Sequence, residues 1–305
     1  MLLVLGSTNT DLVIRGPRLP RPGETVLGGN FYQAAGGKGA NQAVAAARAG
    51  GRVVFLSAVG DDPFGSQALE GFARESIDAR HVKVVPGAAS GVALILVDQA
   101  GWNCISVAPG ANALLSAADI EQLPESLFQE AKLLLASLEV PVETVAAAFR
   151  RARTAGRPTI LNPAPVAGDL ISSGLMELAD LIVPNETEAS QLSGIEVENI
   201  DSAVAAARKI QSLGCRQVIV TLGSLGCVVV ERDADHLQAR EVRAIDSTAA
   251  GDCFCGVLAV ALSEGRSLIE SARWATAAAA ISVGRPGAQP SLPMRAEFDA
   301  TSGGS

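Results

Sequence analysis

Asp246-Ser247-Thr248-Ala249-Ala250-Gly251-Asp252-Cys253-Phe254 is a turn of small residues that delivers one carboxylate to the start of a helix. The residues that follow, Cys255 to Leu262, are apolar and uninterrupted, the composition of a buried helix, so Asp252 falls in its first turn. Backbone N–H groups there have no partner within the helix and lie at the positive end of its dipole, which makes the turn a place for an anion. Ala249, Ala250 and Gly251 let a phosphate approach the backbone closely, and Asp252 stands beside it as a base toward a hydroxyl. The same residues also describe an ordinary Asp-capped helix after a glycine turn.

A second small-residue turn, Gly36-Gly37-Lys38-Gly39-Ala40-Asn41-Gln42-Ala43, runs into Val44–Ala49, again a turn that becomes a helix. Its spacing is neither the Gly-x-x-x-x-Gly-Lys-Ser/Thr loop of nucleotide triphosphatases nor the Gly-x-Gly-x-x-Gly dinucleotide fingerprint, which disfavours both classes. Lys38 and Asn41 on such a backbone fork hydrogen bonds to neighbouring hydroxyls, which suits a sugar better than an apolar ligand.

Around these turns short apolar runs alternate with helical patterns, the mark of βαβ units and a mainly parallel sheet. Strands are expected at Leu2–Leu5, Val53–Ala58, Leu133–Ala136, Thr159–Leu161, Leu181–Val183, Gln217–Thr221 and Gly226–Glu231. Helices are expected at Gln33–Ala49, Phe64–Glu75, Val142–Ala155, Glu186–Leu192, Ile200–Leu213, Asp252–Ser263 and Ser267–Val283, the last opening on a Ser-x-x-Glu capping box. Asp11–Tyr32 and Gly91–Ser106 read as extended and break the alternation. Strands inserted there predict a small β-lid over the carboxyl edge of the sheet, where open α/β sheets place their ligands; a pair of immobile edge hairpins is the alternative.

Composition narrows the function. Lys+Arg 24 against Asp+Glu 32 gives a formal net charge of −8, which argues against a nucleic-acid partner. The opening Met1–Gly6 reads as a buried strand and not a signal peptide, and no apolar stretch is long enough to span a membrane, so a cytoplasmic protein is expected. Five scattered cysteines without a CxxC pair suit a reducing compartment and disfavour a thiol metal site. His81 and His236 stand among polar neighbours and read as surface residues.

Taken together, the chain resembles the ribokinase-like (PfkB) family of carbohydrate kinases, most closely its ribose-phosphorylating members. The resemblance rests on Gly6–Asp11, Pro22–Thr25, Gly36–Ala43, Val59–Gly65, Asn162–Pro165, Pro184–Ala189, Thr221–Gly226, Asp246–Phe254 and Gly287–Ser291, in family order along nearly the whole chain. It implies a three-layer α/β/α sandwich as one domain over residues 1–305, a lid from about 11–32 and 91–106, and a homodimer contact through that lid. The implied reaction is phosphoryl transfer from ATP to a hydroxyl of D-ribose, with Asp252 as base and the N–H groups of Ala249, Ala250, Gly251 and Asp252 as anion hole.

The resemblance assigns the sugar to Asn9, Asp11, Gly37, Lys38, Asn41 and Glu139. For ATP it assigns Asn185 and Glu188, which organise Mg²⁺ and phosphates through water, then Thr221, Gly223, Ser224, Gly226, Gly251 and Thr276. Asn185 followed by Glu188 is equally a capping arrangement. A K⁺ site is implied at Asp246, Thr248, Ser282, Arg285, Gly287 and Ser291, mostly through carbonyl oxygens. Three departures from the family pattern stand out: Ser247 and Cys253 replace common threonines, and Pro286 precedes Gly287. Cys253 is a weak hydrogen-bonder open to oxidation, and Pro286 removes an N–H from the cation loop. A kinase of 2-deoxyribose, a ketose or a nucleoside such as pseudouridine shares the same pattern, and a catalytically silent sugar sensor is the reading from another class.

Overall fold

Leu2–Leu5 forms the first strand, β1, with all four side chains buried. Leu3 and Leu5 enter one hydrophobic core, and Leu2 and Val4 enter another on the opposite face. Successive side chains of a strand point to opposite faces, so a strand apolar at every position belongs in a sheet covered on both sides. The computed structural model, which describes residues 1–299, has that three-layer α/β/α form. The expected single domain extends over residues 300–305, which lie outside the described residues.

The remaining strands are β2 (Asn9–Arg15), β3 (Asn30–Gly36), β4 (Val53–Gly60), β5 (Val82–Val85), β6 (Gly91–Val97), β7 (Asn103–Ala108), β8 (Leu133–Ser137), β9 (Thr159–Asn162), β10 (Leu181–Ile182), β11 (Gln217–Thr221), β12 (Cys227–Val230) and β13 (Ala234–Leu237). Of the thirteen strands among the described residues, nine make one sheet in the order β13-β12-β11-β10-β9-β8-β1-β4-β5, and the other four make a small sheet ordered β3-β2-β6-β7. The large sheet is parallel from β11 through β5; β12 and β13 add an antiparallel edge.

The helices over Val142–Thr154, Glu186–Ser193 and Ile200–Gln211 pack on the face that carries Leu3 and Leu5. Those over Lys38–Arg48, Ala250–Ser263 and Leu268–Ser282 pack on the other. Phe149 shows how the first group docks: fully buried at the inner face of its helix, it contributes about 2–3 kcal/mol by leaving water. Ser267 caps the Leu268–Ser282 helix through the anticipated capping box with Glu270. Within that helix Trp274 is fully buried, donates its indole N–H to Asp299 Oδ1 at 2.9 Å, and lies under the guanidinium groups of Arg266 and Arg295.

One expectation fails at a junction. Gln33–Gly36, anticipated as the first turn of a helix, is the end of β3, and the helix begins at Lys38. Gln33, Ala34 and Ala35 have good intrinsic helix propensity, but pairing with Leu12, Asp11 and Thr10 of β2 overrides it. The small sheet otherwise occupies the two anticipated stretches, with residues 16–29 an irregular excursion between β2 and β3. Asp11, Ala34 and Ala93 share one of its faces by register. The opposite face carries Ile14, Phe31 and Leu94, which are 43%, 65% and 55% exposed. Trp102, 74% exposed, sits at the turn joining β6 and β7.

Candidate active site

The carboxyl ends of β1, β8, β9, β10 and β11 converge on one region, and each supplies polar residues to it. Ser7, Thr8 and Asn9 follow β1, Glu139 follows β8, Asn162 ends β9, Asn185 follows β10 and Thr221 ends β11. Opposite this edge the Lys38–Arg48 and Ala250–Ser263 helices present their N-termini. They approach closely because residue 256 is glycine: a Cβ there would lie 2.5 Å from Gln42 O and 2.7 Å from Ala45 Cβ. That contact puts Asn41 and Gln42 within reach of Asp252, one turn earlier on the facing helix.

Asp252 is buried, and both its oxygens accept amide hydrogens: Oδ2 from Asn41 Nδ2 at 3.0 Å and Oδ1 from Gln42 Nε2 at 3.1 Å. Burial raises the pKa of Asp252, while Lys38 and the two amide donors oppose the rise. Asp252 in turn is the main cause of a raised Lys38 ammonium, which also faces Glu139 and Glu188. Lys38, Asp252 and Gly251 line a cavity of about 200 Å³ with Asn162, Asn185, Glu188 and Thr221. Lys38 therefore borders the residues expected to hold phosphate as well as those expected to hold a sugar.

The Ala250–Ser263 helix has no side-chain cap. Ala249 holds the N-cap position in the left-handed region, at φ 61° and ψ 12°, a conformation that costs a non-glycine residue roughly 1–2 kcal/mol. Ala250 N–H is turned back onto Ser247 O at 3.2 Å, while Gly251 and Asp252 N–H head the helix. Of the four anticipated anion-hole amides, the one at Ala250 is thus partly committed to the turn.

On the sugar side, Glu139 Oε2 accepts from Ser7 Oγ at 2.5 Å and from Lys38 N–H at 3.0 Å. Buried Asn112 donates to Asn9 Oδ1 at 2.8 Å and to Thr8 O at 3.0 Å, so the Asn9 amide turns its own NH₂ away from Asn112. The Asp11 carboxylate makes no hydrogen bond among the described residues, and burial, then Glu139 and Asp252, raise its pKa to about 6. Its folded form binds a proton more tightly than the unfolded chain, so the stabilising contribution is full below about pH 4 and is lost as pH rises through about 6. Asp11→Asn is accordingly expected to raise the stability of the ligand-free protein at pH 8 by roughly 2 kcal/mol, and by much less at pH 4. Urea unfolding at the two pH values checks this; a variant less stable than the parent at pH 8 refutes it.

Asn185 and Glu188 form a reciprocal capping box, with Glu188 N–H on Asn185 Oδ1 at 2.9 Å and Asn185 N–H on Glu188 Oε2 at 2.9 Å. The capping reading holds, and both residues also border the cavity. Gly223 and Ser224 lie on an exposed single turn after β11. Gly226 has a packing reason to be glycine, since a Cβ there would lie 2.0 Å from Leu237 O in the edge hairpin. Thr276 donates to Ala272 O within its own helix and sits 3.8 Å from Cys227 Sγ.

The anticipated cation residues are drawn from two loops that meet. Asp246 Oδ1 accepts from Thr248 N–H and Oγ at 2.9 and 2.6 Å, and Oδ2 accepts from Gly287 N–H at 2.9 Å. Burial pushes the Asp246 pKa up, but these donors outweigh it and hold the group below the usual range. Arg285 pairs with Glu297, leaving only its carbonyl for the loop. Pro286 costs no bond here, because the N–H that reaches Asp246 is that of residue 287. Cys253 is fully buried and its thiol is pushed up to about 12 by burial, so the expected oxidation-prone thiol is not found.

Gln42 and Asn162 escaped the sequence reading as site residues, although both lie inside stretches that carried the family resemblance. The only available signal was position: a polar residue at a strand's carboxyl end, and another beside a glycine turn.

A buried carboxylate at the head of a helix without a side-chain cap, facing a ring of polar groups, is the layout of a small-molecule phosphotransferase. The family model for pfkB family carbohydrate kinases matches residues 1–295, and the chain belongs to that family. It is 44% identical over 297 residues to a protein of Haemophilus influenzae named ribokinase, covering 97% of this chain and 96% of that one. A Salmonella typhi protein named deoxyribokinase is 37% identical, with 98% and 97% covered. The structure of Arabidopsis thaliana ribokinase complexed with ribose and ATP superposes with a TM-score of 0.88 at 31% identity, covering 100% of this chain and 99% of that one.

Proposed function

We propose that this chain phosphorylates D-ribose at its 5-hydroxyl, giving D-ribose 5-phosphate and ADP. The observation that carries the reading is the Asp252 carboxylate at the head of an uncapped helix, in one cavity with Lys38, Asn185 and Glu188, within a carbohydrate kinase family. Asn9, Asp11, Asn41 and Glu139, with the Gly37–Lys38 turn, orient the sugar so that its primary hydroxyl meets Asp252. Asp252 takes the hydroxyl proton as the new O–P bond forms to the γ-phosphorus and the bond from that phosphorus to its bridging oxygen breaks. Gly251 and Asp252 N–H groups, with Ala249, receive the negative charge on the transferring phosphoryl, and Lys38 neutralises it further.

Asn185 and Glu188 are the residues that would hold Mg²⁺ through water, and the ion would supply charge neutralisation to the nucleotide phosphates. Thr221, Gly223, Ser224 and Thr276 flank the rest of the nucleotide. The donors around Asp246 fit K⁺ in kind: one ionised carboxylate and the carbonyls of two loops joined by the Gly287 bond, with the nearby Arg285 cation turned to Glu297. Bound there, such an ion would order the turn ahead of the anion hole and supply no chemistry of its own. The chain acts as one domain with the small sheet as lid, and two copies pair through the apolar lid face that carries Ile14, Phe31 and Leu94. No helix among the described residues is long and apolar enough to cross a membrane; the compartment we propose is the cytoplasm.

The test is ADP release with Mg²⁺ and K⁺ against D-ribose, 2-deoxyribose, fructose, adenosine and pseudouridine in parallel. Ribose is expected to turn over fastest, and replacing K⁺ by tetramethylammonium at constant ionic strength is expected to slow it. Equal rates in the two salts remove the cation site, and silence on every acceptor with sugar binding intact turns the reading to a sensor. Similarity to a protein named deoxyribokinase makes 2-deoxyribose the second reading.

A further inference from the structure

Gln42 is fully buried one turn into the Lys38–Arg48 helix, and its orientation is dictated by a backbone carbonyl two hydrogen bonds away. Val183 O accepts from Asn162 Nδ2 at 2.9 Å. A backbone carbonyl only accepts, so the Asn162 amide has one orientation, with Oδ1 toward Gln42. That oxygen accepts from Gln42 Nε2 at 3.0 Å, and the second hydrogen of the same nitrogen goes to Asp252 Oδ1 at 3.1 Å. Each amide is thereby fixed by a group that cannot reverse its role.

The arrangement leaves polar atoms unpaired. Gln42 Oε1 and Asn41 Oδ1 are both buried without a hydrogen-bond partner among the described residues, while the nitrogens of the same amides aim at the two oxygens of Asp252. Buried side-chain acceptors are rarely left empty, and those that are call for an explanation. Here the explanation is the carboxylate: two amides forgo a bond each so that both oxygens of one base face a donor.

We propose that Gln42, aligned by Asn162, is a positioning residue for phosphoryl transfer: it fixes the rotation of the Asp252 carboxylate and keeps that group an acceptor, leaving its remaining lone pairs for the incoming hydroxyl. The inference rests on the reading of Asp252 as base. The Gln42 side chain donates to Asn162 and to Asp252, and of these two only Asp252 is a proposed reacting group. The charged and titratable groups facing Asp252 among the described residues are Lys38 on the Gln42 helix, Glu139 after β8, Asp11 on β2, Glu188 on the helix after β10, and Cys253 and Cys255 on its own helix. None of these changes when Gln42 is replaced.

Gln42→Met, close in volume and lacking the donor, is expected to lower kcat roughly 10–100-fold, the worth of one hydrogen bond to a charged group, with the sugar KM unchanged. Removing a donor from a carboxylate favours its protonation, so the acid limb of the kcat profile is expected to move to higher pH. Asn162→Ser, which leaves Gln42 unaligned, is expected to shift the same limb by less. Because both act through one bond, the double variant should be no worse than Gln42→Met. An unmoved acid limb or additive losses overturn the proposal. Should Gln42→Met fail to unfold cooperatively, Asn162→Ser carries the same test through its limb shift. Asp252→Asn is measured alongside: normal turnover there defeats the base reading itself, whereas its collapse together with a parent-like Gln42→Met defeats only the role of Gln42.

Discussion

Asp252→Asn is expected to lower turnover by two decades or more while leaving sugar affinity nearly intact. The size follows from the usual contribution of a general base, roughly 10²–10⁴, which is about 3–5 kcal/mol of barrier. The geometry explains why the loss would fall on kcat. An asparagine has the same shape, so the hydroxyl is still seated, but it cannot accept the proton. It must also turn its NH₂ toward either Asn41 Nδ2 or Gln42 Nε2, both of which are donors. Removing a buried charge and setting donor against donor act oppositely on stability, so the fold should persist. Steady-state kinetics with ribose and a binding titration separate the two effects; turnover near that of the parent refutes the assignment.

Gly251→Ala is expected to move stability and activity in opposite directions. A Cβ at residue 251 would meet no atom within 4 Å, although the residue opens a helix. Packing therefore does not require glycine there, and alanine is the better helix former by up to about 1 kcal/mol. The open space lies at the cavity that Gly251 shares with Asp252 and Lys38. A methyl group in it would hold the transferring phosphoryl off the backbone donors, and losing one such donor costs about 10²–10³ in rate. A raised unfolding midpoint with turnover down roughly 100-fold is the expected pair of results. Unchanged turnover would mean that the phosphoryl group does not approach this turn. Gly256, on the same helix, serves as the contrast, because its Cβ would be driven against Gln42 O.

Where a segment's environment is written in its own residues, the sequence was legible. Leu2–Leu5 and Gln217–Thr221 are apolar on both faces and became strands at the anticipated residues. Ser267 and Glu270 announced a helix start that both side chains then made. Gln33–Gly36 misled because its residues carry helical propensity, and only the partner strand β2 decides otherwise. β5 and β13 went unread for a related reason: each lies at an edge of the large sheet, and Ala234-Asp235-His236-Leu237 has no apolar pattern to betray it. At the site, Asp252 and Asn41 were visible because each stands in a local turn motif. Gln42 and Asn162 were not, since their role depends on one hydrogen bond between residues 120 positions apart. Gly226 was visible in its turn motif, and the structure adds a packing need for glycine there against the carbonyl of Leu237.

The two tryptophans of this chain differ as much as two indoles can. Trp274 is sealed in the core between two cations, and Trp102 stands in water at the tip of the small sheet. The protein thus carries a built-in optical pair: a short-wavelength emitter that serves as internal standard, and a long-wavelength emitter attached to the part closest to any opening or pairing. Stopped-flow mixing with sugar, read as the ratio of the two emissions, would time that movement without a label.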